Sequence, residues 1–284
     1  MRKRSLRSSE RALVVEGAEL LSVALDAGAP VEAVYVAPEG RSSRATSDVV
    51  DRAFAHGVRV FDLAPGVIER IADTVTPQPL LAVVGYTPAA LEDARGAAVV
   101  VALVDVRDPG NAGTMIRTAD AAGIDAVICC DGTVDPSNPK TVRASAGSLF
   151  HLPVVAGGEP AAVFETLSDW GFVTVGTTAG DGVDYAEFDW SRRVALVFGN
   201  EASGLDVSML DRLDGRVSIP MAGRAESLNV SVAAAVLCFE VLRQRRTART
   251  APAGTAQRPT IDDMEAVRPG PAEQTGRRTG GDTR

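Results

Sequence analysis

Apolar positions along the chain switch repeatedly between helical and strand spacing. From Arg11 to Ala27, Leu13, Val14, Ala18, Leu21 and Leu25 recur close to the i, i+3, i+4, i+7 pattern, which predicts an amphipathic helix stopped by Gly28. A strand is expected over Val31 to Ala37, a second helix over Ser47 to His56 ended by Gly57, and further strands over Val58 to Asp62 and Leu80 to Tyr86. Together these make a small α/β unit. Pro88 to Gly96 is polar and Ala/Gly/Pro-containing, so it reads as a bridge to a larger unit.

From Val99 onward strands and helices alternate. Strands are expected at 99–105, 126–130, 153–155, 173–177, 193–198 and 216–219, with helices at 112–122, 139–145, 160–170, around 207–210 and at 229–244. This alternation implies a mostly parallel sheet with crossover helices. After Arg246 the apolar periodicity disappears into Thr, Ala, Gly, Pro and Arg, and residues 247–284 are expected to be a disordered tail.

Composition narrows the class. A chain of 284 residues with 45% hydrophobic content fits about two domains with a real core. The longest apolar run, Ala97 to Val104, falls well short of the ~20 residues that span a bilayer, so no membrane span is expected. The basic start, Met1 to Arg7, runs into Ser8, Ser9, Glu10 and Arg11 with no apolar stretch behind it, which points to the cytoplasm. The three cysteines, two of them adjacent at Cys129 and Cys130, have neither disulfide-framework nor metal-ligand spacing. They read as core thiols, and no metal is expected.

The net charge of -8 argues against a nucleic-acid partner, since phosphate binding normally shows as a basic domain. Yet the only lysines are Lys3 and Lys140, and arginines 107, 117, 143, 224, 243, 245 and 246 fall where a site or a tail would be. Local sign can differ from global sign, and the planar guanidinium is the better phosphate ligand.

Candidate chemistry gathers at three polar, glycine-containing turns, each following an apolar strand-like run, so that they emerge together at the carboxyl edge of one sheet. They are Asn111-Ala112-Gly113-Thr114-Met115-Ile116-Arg117, Gly199-Asn200-Glu201-Ala202-Ser203-Gly204-Leu205, and Ile219-Pro220-Met221-Ala222-Gly223 running on to Ser227-Leu228-Asn229-Val230-Ser231-Val232-Ala233. In the first, Pro109 and Gly110 turn the chain and Asn111 reads as a helix N-cap. Gly113 reads as a point of close approach by RNA or a partner subunit. Arg117, on one helical face with Thr114 and Ala121, directs a permanent charge toward the turn; a solvated surface arginine is the plainer reading. No G-x-G-x-x-G follows a strand, which disfavours a nucleotide-dependent oxidoreductase. Of the histidines, His56 lies in the first unit and His151 on the approach to a strand, where its role is read as structural.

The three segments, in this order, resemble motifs one, two and three of the SpoU (TrmH) branch of the SPOUT RNA methyltransferases over roughly residues 99–246. A weaker resemblance to that family's substrate-binding module covers about 10–88. The resemblance implies an α/β fold, a SPOUT-type mostly parallel sheet with a C-terminal deep trefoil knot, preceded by a small α/β ribosomal-protein-like RNA-binding domain. The corresponding segments are a basic arm (1–9), an RNA-binding domain (10–88), a linker (89–98), the methyltransferase domain (99–246) and the tail (247–284). Periodicity by itself favours an unknotted doubly wound sheet.

The implied reaction is methyl transfer from S-adenosylmethionine to a ribose 2′-hydroxyl of structured RNA, ribosomal RNA ahead of transfer RNA, by a homodimer packed through the knot. A non-catalytic RNA-binding protein of the same fold is the alternative. Adenosine is expected on main-chain groups around Thr177, Thr178, Gly199, Asn200, Ile219, Met221, Ser227 and Leu228, with Gly199 and Gly223 leaving room where ligand meets backbone. Each glycine taken alone reads more simply as a turn. The resemblance gives the central catalytic role to Arg117, which would orient the hydroxyl and offset negative charge, proton acceptance being the weaker reading. Asn111, Glu201, Ser227 and Asn229 complete the catalytic set. Glu201 would accept hydrogen bonds within the knot, attract the sulfonium, or cap a local helix; Asn229 and Ser227 would hold Arg117 or the target phosphate. Lys140 and Arg143, one turn apart at the start of a helix, would contact the RNA backbone or form a solvated face.

Overall fold

The computed structural model describes residues 4–72 and 74–250. The first unit contains α1 (Arg4–Glu10), β1 (Ala12–Glu16), α2 (Ala18–Asp26), β2 (Val31–Val36), α3 (Pro38–Arg41), α4 (Arg44–Ala55), β3 (Arg59–Asp62), α5 (Ile68–Ile71) and β4 (Leu80–Gly85). Its four strands run in the order β1-β4-β2-β3, antiparallel except for the β2–β3 pair. Val34, Leu80 and Val84 project from it onto α2 and α4, whose own buried residues include Leu21, Val49 and Val50.

The helix expected over Arg11 to Ala27 is instead a strand followed by a helix. Arg11 and Gly17 take φ angles of 48° and 95°, values that interrupt a right-handed helix on both sides of β1. Between them Leu13 and Val15 are fully buried while Val14 is only partly so, and the segment pairs in register with β4. Period-two burial with a waiting partner strand wins over the local helical spacing. Residues 4–9 of the expected basic arm, with Glu10, form α1, and the Arg7 guanidinium is buried against the second unit.

A turn of 3-10 helix at Leu91–Ala94 leads into β5 (Val99–Leu103), α6 (Pro109–Ala121), β6 (Ala126–Cys129), α7 (Pro139–Ala144), β7 (Val154–Ala156), α8 (Pro160–Asp169) and β8 (Val173–Thr178). Then come β9 (Val183–Asp184), β10 (Val194–Phe198), α9 (Val207–Leu210), β11 (Gly215–Ser218) and α10 (Val230–Thr250). The strands of this unit run β7-β6-β5-β10-β8-β11-β9, and each pairs with its neighbours in parallel. β5 and β10, at the centre, are buried at every position, as a strand covered on both faces must be. Residues 247–250, placed in the tail by the sequence, continue α10, where the Thr247 hydroxyl donates to the Arg243 carbonyl at 2.9 Å. The rest of the expected tail, 251–284, lies outside the described residues.

The two units meet along α7. Arg7 Nη2 donates to Asp135 Oδ2 at 2.6 Å and its Nε to Ser137 Oγ at 3.1 Å, with Arg7 only 4% exposed. Arg143 faces Glu16 across 3.8 Å. Gly147, at φ 94°, lies so close to α2 that a Cβ there would stand 2.5 Å from Val23 Cγ1. One apolar cluster runs through both units, from Leu13 and Val34 to Leu103 and Met115.

Candidate functional site

Strands β5, β10, β8 and β11 are consecutive neighbours in one parallel sheet, so the loops after them leave from the same edge. The loops after β10, β8 and β11 border a common cleft, and the loop after β5 packs against them. At the end of β5, Asp105 takes the left-handed conformation with φ 56°. Asn200, just past β10, fixes it by donating from Nδ2 to the Asp105 carbonyl at 2.8 Å, while its Oδ1 accepts from Ala202 N and Ser203 N at 2.9 and 3.2 Å.

The N-cap of α6 is Asp108, not Asn111. Its carboxylate accepts from Asn111 N at 2.9 Å, and Pro109 occupies the first helical turn, where a missing N–H costs nothing. Asp-Pro at a strand-to-helix turn was the signal for this cap. Asn111 is thereby freed for other partners. Its Nδ2 donates to Glu201 Oε1 at 3.1 Å, and its Oδ1 accepts from Asn229 Nδ2 at 3.2 Å. Glu201 also accepts from Asp108 N at 2.9 Å and Arg107 N at 3.2 Å, so it secures the turn before α6 rather than capping its own segment. Asn229 Oδ1 holds the start of α10 through Ser231 N and Oγ, at 2.9 and 2.7 Å.

Charge follows from these contacts. Burial alone would push the Glu201 carboxyl up, but the N–H of Asp108 and the Asn111 amide outweigh it and hold Glu201 below its ordinary value. The N–H of Asn111 chiefly, with Lys140 assisting, holds Asp108 low as well. Both are carboxylates at neutral pH.

Beside this chain of side chains lies a cleft of about 360 Å³. Thr177, Thr178, Gly199, Asn200, Ile219, Met221, Ser227 and Leu228 all line it, as does Glu201. Leu205, Leu210, Val217 and Leu237 supply apolar wall, and Asp181 and Glu226 add carboxylates that the motifs do not single out. Asn111 and Asn229 stand behind Glu201 and do not line the cleft. Arg117 is exposed on α6, also away from the lining, and among the described residues it has no hydrogen-bond or ion-pair partner. Asn229, expected to hold Arg117 or the target phosphate, donates to Asn111 and does not touch Arg117 in its own chain.

Further candidate positions meet neighbours within the chain itself. A Cβ at Gly199 would come within 2.3 Å of the Gly204 carbonyl carbon, so the chain's own turn demands glycine there. Gly113 is buried against α7, where a Cβ would meet Thr141 O at 2.5 Å, and is not a contact surface for RNA or a partner. Lys140 pairs with Asp108 at 3.2 Å and Arg143 with Glu16, so both candidate RNA cations have carboxylate partners within the chain. Gly223 has open space around its Cα. His151 Nδ1 lies 2.8 Å from Asp120 Oδ2 on α6. All three cysteines are buried, and desolvation pushes each thiol up to about 12. Among the described residues no cluster of histidine, cysteine and acidic side chains could hold a metal, and no helix is long and apolar enough to cross a membrane.

Comparison with known proteins gives consistent matches. The SpoU rRNA Methylase family matches residues 98–239, and an MRM3-like substrate binding domain matches residues 1–82. The 23S rRNA (guanosine(2553)-2′-O)-methyltransferase RlmP of Bacillus subtilis is 39% identical over 83% of this chain and 90% of its own length. The SpoU methyltransferase AviRb of Streptomyces viridochromogenes, solved with the cofactor AdoMet, superposes with a TM-score of 0.76 at 30% identity, covering 86% of this chain and 94% of that one. An AdoMet-bound rRNA methyltransferase from Sinorhizobium meliloti gives 0.71 at 33% identity, covering 85% and 91%.

Proposed function

The chain belongs to the SpoU rRNA methylase family, and from that premise we propose that it transfers the methyl group of S-adenosylmethionine to a ribose 2′-hydroxyl of ribosomal RNA. The observation that carries this reading is that the second and third motif segments line one cleft, while Asn111 of the first is hydrogen-bonded to Glu201 on its wall and to Asn229. A cleft of about 360 Å³ with apolar walls and an ionised carboxylate suits a nucleoside-sized cation. When bound, S-adenosylmethionine supplies the electrophilic methyl carbon; the protein must align a ribose hydroxyl with it and offset the charge that develops on the oxygen.

Arg117 is the residue that meets this second requirement. It orients the hydroxyl and offsets charge, while the Glu201, Asn111 and Asn229 chain sets the turn from which α6 departs. Its exposed position outside the cleft of its own chain is best answered by a homodimer, in which Arg117 of one subunit faces the cleft of the other. The apolar side chains Leu228, Val232 and Phe239, 37–48% exposed on and just before α10, support such a contact. Residues 10–88 would then choose the RNA and residues 99–246 carry catalysis, with the trefoil knot of the family formed around the cleft and the work done in the cytoplasm.

The test is transfer of label from tritiated S-adenosylmethionine to ribosomal RNA isolated from a strain lacking the gene, with 2′-O-methyl positions mapped. One strong new ribose methylation supports the reading. Saturable S-adenosylmethionine binding with no transfer to any RNA would sink it.

A further inference from the structure

β3 is the outer strand of the first sheet and pairs on one side only, with β2. Strand alternation sends Val60 toward the core and places Arg59 and Phe61 together on the opposite face. On that face Phe61 sits directly across from Tyr35, and the two rings stack with centroids 5.4 Å apart and planes 19° from parallel. Tyr35 is backed in turn by a small apolar cluster that includes Ile68 and Leu81. Phe61 is therefore ordered from behind by a supported aromatic, yet remains 42% exposed at the sheet edge.

The charge beside it is equally specific. Arg41, Arg44 and Arg52 of the same unit are each paired with an aspartate. Arg59, exposed on the Phe61 face, has no hydrogen-bond or ion-pair partner among the described residues. A single exposed phenylalanine needs no explanation; one stacked in advance, at an open edge, beside an unpaired guanidinium, combines the two elements with which proteins hold unpaired nucleotides. This surface lies within the stretch that matches a substrate binding domain.

We propose that Phe61, stacked on Tyr35, is a platform for an unpaired base of the RNA substrate, with Arg59 taking the adjacent phosphate. This rests on the reading that the chain acts on RNA and adds where a single-stranded part of that RNA is held. A stacked base would continue the Tyr35–Phe61 column outward from the sheet edge.

The test is fluorescence anisotropy of the full chain with a labelled, unstructured oligoribonucleotide of adenosine and cytidine. The wild-type protein should bind it, Phe61→Ala should weaken binding about five-fold or more, and Phe61→Trp should retain it. Arg59→Gln should weaken binding and lower the slope of log affinity against log salt by about one. Unchanged affinity in Phe61→Ala, or no binding by the wild type, would overturn the platform. So would a Phe61→Ala chain that loses self-association in sedimentation, because the edge would then belong to a second copy. Methyl transfer to ribosomal RNA, measured alongside, separates the two readings: its absence in the wild type strikes the proposed activity, whereas the binding series alone decides the platform.

Discussion

The Asn229 amide donates to the Asn111 carbonyl oxygen across 3.2 Å, joining the start of α10 to the first turn of α6 over 118 positions of sequence. Because Glu201 can only accept, it fixes which end of Asn111 faces it and so directs the Asn111 oxygen toward Asn229. Asn111→Asp replaces the donor with a second carboxylate beside Glu201. The expected result is at least a ten-fold loss of kcat/KM, partly restored in Asn111→Asp/Glu201→Gln, where a donor faces the carboxylate again. A double-mutant cycle on kcat/KM should give about 1 kcal/mol of coupling. Additive losses would show that the pair is only adjacent.

Arg117→Ala should separate binding from chemistry. Since Arg117 is placed on the ribose hydroxyl and not on the cofactor, the affinity for S-adenosylmethionine by titration calorimetry should stay within about two-fold. Methyl transfer should fall by about a hundred-fold or more, the usual loss when one charge-stabilising group is removed. A variant that turns over normally would take Arg117 out of the mechanism.

Stability should depend on pH in one direction. Asp108, Asp135 and Glu201 all titrate below their ordinary values in the folded chain: for Asp135 and Glu201 burial opposes this but hydrogen bonds outweigh it, and for Asp108 the Asn111 N–H leads. The unfolded chain therefore takes up protons first as pH falls. The stabilisation is fully present above the ordinary carboxylate range and is lost as pH drops through it toward the folded values. Urea midpoints should be flat from about pH 7 to 5 and decline below about 4. Glu201→Gln should make that decline shallower.

Arg7→Ala would leave Asp135, 13% exposed, without its guanidinium partner. Removing one member of a buried pair typically costs about 3–5 kcal/mol, and because α1 ties the first unit to the second, the loss should appear as a lower urea midpoint for the whole chain. Arg7→Lys should recover only part of it, having one point charge for two acceptors.

The parallel sheet and the three converging turns were legible because strand and helix periods alternate cleanly from Val99, and loops after parallel strands share an edge. What stayed hidden depends on partners far away in sequence. β1 reads as the start of a helix until β4 arrives to pair with it, and left-handed Arg11 and Gly17 carry no apolar signal. The reasons for Gly113 and Gly199 lie in a helix crossing and a turn closing on itself, and the partners of Lys140 and Arg143 belong to another element and another unit. Asp108 could have been found, since Asp-Pro is a local cap signal, but Asn111 offered the same chemistry three residues later.

Two glycines near the site make opposite predictions. A methyl group at Gly113 would stand 2.5 Å from Thr141 O and 2.6 Å from Ala144 Cβ, so α6 and α7 must move apart. Overpacking of this kind costs about 1–3 kcal/mol, and Gly113→Ala should lower the melting temperature by several degrees. Because α6 carries Asn111 at its start, methyl transfer should fall more than S-adenosylmethionine affinity does. At Gly223 nothing lies within 4 Å of the added methyl, and Gly223→Ala should melt within about 0.5 kcal/mol of the wild type. If S-adenosylmethionine or RNA passes close to that backbone, Gly223→Ala will weaken its binding without touching stability; if neither does, the variant will behave as wild type. An unaltered melting temperature for Gly113→Ala would mean that the α6–α7 crossing is looser than its contacts imply, and that the first motif is not held by packing.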